Sequence, residues 1–430
     1  MTYTASPRWR RYLSDAYGML RRDLLKLPLS ASCLPAMAGV AAAQDAGTLT
    51  VRDFTFDGPL GSQGASIESV GRDHFRVRLG AAPNQPGWPN KLNMRILRNA
   101  RGRSLRLDVA FPEGKDYAFN EYHQSFSYDG VHWHPIAWEK GYLASPLADT
   151  LVFPPFAADT VWVGTQTPMS WDVDALGLIA RWRQSPHVTV HTVGRTLGGR
   201  DMLRLEITDA ASPHPRPRRW SHYFANQHPG EHNSQWRLAG LVDWLLSDAG
   251  ADVRQRQIVH VILMMSPDAP AHGWYRVNGQ GVDMNRSYSP TGANEATQAH
   301  EAFFWQRDLE RLMASDAPVT TVWAIHTWSG IVEPQIIPGP ELNSPLGTWT
   351  DLRDVLARQD RLGLIEPVTL AKRGQYGNTS WTDGPHTQFG ITAMLCEGGA
   401  VLQTRQLNEA SGVAIIKALG EFYSGTKPAR

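Results

Sequence analysis

Cysteine is nearly absent: Cys33 and Cys396 are the only two in 430 residues. That scarcity excludes a disulfide framework and any metal site built on several thiolates. An excess of charge of either sign is missing too, since 42 Lys plus Arg face 41 Asp plus Glu, a formal net charge of +1. Such a balance supplies no field to steer nucleic acid or an anionic membrane surface, so neither is expected as a partner. Internal repeats and low-complexity tracts are also lacking. With 42% hydrophobic and 19% charged residues, the composition excludes wholesale disorder.

What is present points to a loop-rich protein with carved clefts: 16 Trp and 29 Pro are high counts. The length exceeds the usual size of one hydrophobic core and predicts two domains.

The first 43 residues read as an export signal. Arg21-Arg22-Asp23-Leu24-Leu25-Lys26 precedes an uncharged run from Leu27 to Ala43 that ends in Ala41-Ala42-Ala43, small residues of the kind a signal peptidase reads. The order resembles the twin-arginine motif, with Leu24 where Phe is usual. The run is short of the roughly 20 residues that a membrane span needs, and it holds Pro28 and Pro35. Residues 1–43 are therefore expected to be cleaved after transport by the twin-arginine machinery. The mature chain would be periplasmic or secreted, without stable membrane insertion, and Cys396 would be its lone thiol.

Two textures follow. Over residues 44–168, stretches such as His74–Leu79 and Leu105–Val109 alternate apolar and polar residues as half-buried strands do, and turn signals such as Asp129-Gly130 and Pro154-Pro155 separate them. This predicts a small all-β sandwich. Over residues 169–430, apolar strands such as Ile258–Leu263 alternate with amphipathic helices such as Ala299–Met313 and Asp351–Leu362, which predicts an α/β domain with a mixed sheet. Asn408 is the predicted N-cap of a last helix that reaches about Tyr423. Pro213-His214-Pro215-Arg216-Pro217 is expected as a surface loop inside this domain.

Chemistry concentrates at strand ends. Arg219–Ala225 reads as a strand running into Asn226-Gln227-His228-Pro229-Gly230-Glu231 and then a helix. His228 and Glu231 therefore stand where α/β sheets form ligand pockets. Taken alone, the pair reads better as a loop His beside a capping Glu. The strand Val319–Ile325 ends in His326, and two imidazoles with one carboxylate suit a catalytic zinc that keeps its fourth position for water. The apolar strand Gly390–Cys396 delivers Glu397, a carboxylate that is costly there without a partner or a task. Beside a metal it is the candidate general base.

These residues, in this order, resemble the zinc metallocarboxypeptidases of the carboxypeptidase A kind, and the cytosolic carboxypeptidase branch most closely. The likeness covers about Val188 to Tyr423. It includes Val193–Asp201, Gln227-His228-Pro229-Gly230-Glu231, and the segment Tyr275-Arg276-Val277-Asn278 to Asp283-Met284-Asn285-Arg286. It implies one Zn2+ per chain on His228, Glu231 and His326, with Glu397 as base. Arg276 would polarise the scissile carbonyl, Asn285 and Arg286 would hold the substrate's terminal carboxylate, and Tyr376 would close over it. The implied activity is hydrolysis of the last peptide bond of a peptide or protein C-terminus. The family's Asn-Pro-Asp-Gly reads Ser266-Pro267-Asp268-Ala269 here, and Asn378–Asp383 holds no Arg, so specificity for C-terminal glutamate is not carried over. The alternative is a zinc deacylase or cell-wall peptide amidase on the same fold. A non-catalytic binding module fits less well, because the base is intact.

Overall fold

The computed structural model describes residues 48–112, 124–136, 148–327, 334–372, 374–398 and 404–425. The expected export segment, with Arg21, Arg22 and Cys33, lies outside the described residues. Thr48–Arg430 form one compact unit.

Besides a short hairpin of Ala81–Ala82 with Gln85–Pro89, the first part holds these strands: β1 Phe54–Thr55, β2 Ser66–Gly71, β3 His74–Arg78, β4 Met94–Ile96, β5 Arg106–Ala110, β6 Gln124–Ser127, β7 Trp133–Ile136, β8 Ala148–Val152 and β9 Val161–Thr165. They form two sheets of order β1-β4-β9-β6-β7 and β8-β5-β3-β2. The period-two pattern explains how these sheets meet. Phe75 and Val77 of β3 and Leu107 and Val109 of β5 point inward with no exposure, against Ile96 of β4 and Val161 and Val163 of β9. One residue from far outside this part, Tyr275, joins the same core.

The second part is built on an eight-stranded mixed sheet. Its strands are β10 Val188–Arg195, β11 Asp201–Ile207, β12 Trp220–Ala225, β13 Gln257–Ile262, β14 Thr321–Ile325, β15 Gln335–Ile337, β16 Thr369–Leu370 and β17 Thr392–Cys396, in the order β10-β11-β13-β12-β14-β17-β15-β16. The central four, β13, β12, β14 and β17, run parallel to one another. Every residue of these four strands is buried, which requires cover on both faces. Helices α1 Leu176–Trp182, α2 His232–Leu246, α4 Trp349–Gln359 and α5 Arg405–Phe422 cover the face that presents Phe224 and Trp323. Helix α3 His300–Met313 covers the face that presents Tyr223 and Val322. Close packing of α2 on α5 needs Gly412, where a Cβ would fall 1.8 Å from the Arg237 carbonyl oxygen.

One boundary differs from expectation. Helix α5 starts at Arg405, and Thr404 caps it by accepting the Leu407 N–H at 3.3 Å. Asn408 lies buried in the second turn, where its Nδ2 donates back to the Thr404 carbonyl at 2.9 Å. The same short amide that suits a cap can also satisfy the carbonyl four residues earlier, so its presence did not mark the helix start. Among the described residues, no helix is long and apolar enough to cross a membrane.

Candidate active site

The topology gathers the predicted residues at one end of the sheet. Strand β12 has parallel neighbours on both sides, β13 and β14, so the chain leaves it at a switch point where a crevice opens beyond the carboxyl ends. The loop after β12 carries His228 and Glu231, His326 follows β14 directly, and Glu397 follows β17 directly.

The His-Pro-Gly-Glu turn is held tightly. Gly230 donates its N–H to the Tyr275 carbonyl at 2.7 Å, and a Cβ at Gly230 would lie 2.5 Å from the Tyr275 Cα, so only glycine fits. Gln235 Nε2 donates to the Pro229 carbonyl at 2.7 Å. Glu231 then stands at the N-cap of α2 with its side chain free for other work, since it makes no cap hydrogen bond.

His228, Glu231 and His326 are buried, and their donor atoms all lie within 4.8 Å of one another. The Nδ1 of His228 lies 2.8 Å from Glu231 Oε1, and the Nδ1 of His326 lies 2.9 Å from Glu231 Oε2. Each imidazole turns its other nitrogen outward: His228 Nε2 is 3.0 Å from Asp283 Oδ1, and His326 Nε2 is 3.3 Å from Asn285 Nδ2. The carboxylate also accepts from the Thr327 N–H at 3.0 Å and from the Tyr275 hydroxyl at 3.3 Å. Burial opposes charge on Glu231, yet the two imidazoles hold it far below the usual carboxylate range. Burial drives His326 down to about 4, against the pull of Glu231. Two imidazoles and one ionised carboxylate in a buried cluster are a donor set that fits zinc.

Of the residues expected to bind substrate, Asn285 lies against His326, and Arg276 reaches His228 through Asp283. Asp283 Oδ2 accepts from Arg276 Nε at 2.5 Å, so one carboxylate holds both His228 and Arg276. The Arg276 guanidinium also lies 5.3 Å from the Trp88 ring centroid, within cation–π range. Asn285 is buried, and its Oδ1 accepts from the Trp381 N–H at 2.8 Å. Arg286 is exposed at the rim, with Nη1 donating to the Asn285 carbonyl at 2.7 Å. Tyr376 is half-buried, and Asp383 accepts its backbone N–H at 2.7 Å. Burial and then the charges of Glu397 and Asp383 raise the Tyr376 hydroxyl above the usual phenol range.

Glu397 is half-buried, and its Oε2 is a buried oxygen with no hydrogen-bond partner. Burial and the nearby Glu231 carboxylate push its carboxyl up to about 8. Behind it sits Arg237 of α2, whose Nη1 donates to the His326 carbonyl at 3.2 Å and to the Cys396 carbonyl at 3.3 Å. One guanidinium therefore ties together the strand ends that carry the third donor and the base. Cys396 is a buried free thiol.

Residues 178–316 match the model of the zinc carboxypeptidase family. That stretch is similar to a zinc carboxypeptidase domain. The matched stretch holds His228, Glu231, Arg276, Asn285 and Arg286, while the fold brings His326 and Glu397 to them from beyond it. Cytosolic carboxypeptidase 2 of Xenopus tropicalis is 32% identical over 108 residues, which are 24% of this chain and 11% of that relative. The match thus spans only about a tenth of the length of that relative and of cytosolic carboxypeptidase 3 of Mus musculus. Two solved structures share the fold across both parts. A metallo-carboxypeptidase from Burkholderia cenocepacia superposes with a TM-score of 0.68 at 19% identity, covering 86% of this chain and 98% of its own. A metallo-carboxypeptidase from Pseudomonas aeruginosa, in complex with (2-guanidinoethylmercapto)succinic acid, gives 0.65 at 17% identity, covering 86% and 98%.

Within the matched stretch, the Asp268 turn joins two of the segments that carried the resemblance. Its carboxylate accepts from Thr196 Oγ1 at 2.8 Å, from the Gly198 N–H at 2.8 Å and from Arg200 Nη1 at 3.0 Å. Four residues that touch the site were missed in the sequence: Asp283, Tyr275, Arg237 and Lys91. Asp283 had a usable signal, an acidic residue two places before the Asn285-Arg286 pair. Arg237 read as an ordinary polar residue on a helix. Lys91 lies in the β-sandwich, which contains no His/carboxylate cluster that would have drawn attention to it.

Proposed function

We propose that this protein is a zinc-dependent carboxypeptidase that hydrolyses the C-terminal peptide bond of peptides or proteins. The observation that carries the reading is the meeting of two carboxylates, Glu231 and Glu397, with two imidazoles in one buried site. Without a metal, burial and Glu231 keep the proton on Glu397, whereas a cation held by the His228/Glu231/His326 donor set would favour its ionised form. Zinc, when bound there, supplies Lewis-acid polarisation and an acidified water.

The chain's own residues divide the remaining work. Glu397, with an oxygen to spare, takes a proton from the attacking water and later gives it to the leaving amine. Arg276, held on its Nε edge by Asp283, donates to the oxygen on which charge develops. Exposed Arg286 and buried Asn285 grip the free terminal carboxylate, a task suited to a guanidinium fork beside an amide. Tyr376 closes over the substrate. Export through the twin-arginine route, on Arg21 and Arg22, would set this chemistry to work in the periplasm or outside the cell.

The test is a peptide library incubated with zinc-loaded wild type, read by mass spectrometry. Loss of single residues from free C-termini is the expected result. Cleavage confined to acyl groups or to cell-wall stem peptides would move the assignment to a deacylase or amidase.

A further inference from the structure

The His228–Glu231 turn is clamped from two directions, and one of them is the β-sandwich. Lys91, on the segment just ahead of β4, is buried and donates from Nζ to the Gly230 carbonyl. Gly230 lies between the two ligands that this turn supplies. Its N–H is already fixed on the Tyr275 carbonyl at 2.7 Å, so both polar ends of this residue are engaged. Gln166, directly after β9, adds a second sandwich contact, for its Oε1 accepts the His232 N–H at 3.2 Å and lies 3.5 Å from Lys91 Nζ. Lys91 is itself anchored, since its backbone N–H donates to the Gly273 carbonyl at 2.8 Å, two residues before Tyr275. Its ammonium also lies 5.8 Å from the Tyr275 ring centroid, and Tyr275 in turn donates to Glu231.

An amine buried this deeply costs several kcal/mol in desolvation and is not placed for general stability. Lys91 is not part of the apolar cluster at the centre of the sandwich. Its hydrogen bond goes instead to the peptide that sets the spacing of His228 and Glu231. We infer that Lys91 is a positioning residue for the metal site, through which the β-sandwich holds these two ligands at binding distance. The sandwich is then a structural part of the zinc site rather than a separate appendage. This inference rests on the zinc reading above. It adds that the affinity for zinc depends on a side chain more than a hundred positions away in sequence from the nearest ligand.

The experiment uses the full chain and reads zinc affinity by competition with a chelating dye, alongside urea unfolding of the metal-free protein. Wild type and His326→Ala set the scale. If wild type holds no zinc that His326→Ala loses, the zinc reading itself fails, whatever Lys91 does. Given that reference, Lys91→Met removes the amine and keeps most of its volume. Loss of the amine removes a desolvation cost but leaves the Gly230 carbonyl without this donor. The expected result is a metal-free protein that still folds, with a zinc dissociation constant raised by about 10- to 100-fold, as losses of outer-shell partners do. Unchanged stability with zinc affinity within twofold of wild type would overturn the inference. Should Lys91→Met fail to fold, Gln166→Asn decides the matter. Asn suits the left-handed backbone at this position (φ 63°) but draws the amide back from His232 and Lys91. Weaker zinc binding in that variant supports the sandwich clamp, and unchanged binding overturns it.

Discussion

Asp283 Oδ1 lies 3.0 Å from Nε2 of His228, on the side of the imidazole away from the metal donors. An acceptor there holds the proton on Nε2 and leaves Nδ1 as the lone pair that faces Glu231. Asp283→Asn should weaken zinc binding by about 10- to 100-fold, because an amide no longer fixes the tautomer or the ring. His228→Ala should go further and abolish stoichiometric zinc. A chelator competition titration separates the two effects. Equal affinity in Asp283→Asn and wild type would remove Asp283 from the site's support.

Most of the site was legible because its residues break a pattern. His326 and Glu397 each follow an apolar strand without interruption, where a polar group needs a reason to be, and the parallel register of β14 and β17 sets them side by side. His228 and Glu231 were legible from their place where a strand runs into a helix and from the resemblance carried by Gln227–Glu231. What stayed hidden were partners supplied across the fold. Asp283 looks like any loop aspartate until His228 and Arg276 are seen on either side of it. Lys91 and Tyr275 reach the ligand turn through tertiary packing that no local spacing encodes. Arg237 was hidden for a different reason, since a polar residue on a helix face is expected in water, and here that face is buried against α5.

Glu397 gives a pH signature in the metal-free protein. Its folded carboxyl is pushed up to about 8 from an ordinary 4.5, so the folded state binds this proton more tightly than the unfolded state does. The stabilisation is whole below the unfolded value and is lost as pH rises through the folded one. Metal-free wild type should therefore lose stability relative to metal-free Glu397→Gln as pH rises from about 5 to about 8, since Gln mimics the protonated form at every pH. Urea unfolding at several pH values checks this. Parallel stability profiles for the two proteins would contradict the burial and carboxylate repulsion assigned to Glu397.

Export rests on Arg21 and Arg22 alone. Replacing both with Lys should leave unprocessed precursor inside the cell, while wild type is recovered in processed form outside the inner membrane. Immunoblots of cell fractions read the outcome, and unchanged processing in a strain without the twin-arginine translocase would exclude that route.

The central claim is that a base beside the metal donors cuts peptides held by their free C-terminus. The most direct measurement compares kcat/KM for one peptide with a free C-terminus and the same peptide amidated, for wild type, Arg286→Ala and Glu397→Gln, all zinc-loaded. An amide cannot satisfy the Asn285/Arg286 clamp as a carboxylate does, so wild type should strongly prefer the free peptide. Arg286→Ala should narrow that preference by raising KM for the free peptide. Glu397→Gln should retain zinc and lower kcat by about 10²- to 10⁴-fold on the free peptide. Equal cleavage of both peptides by wild type, or full activity in Glu397→Gln, would contradict the account.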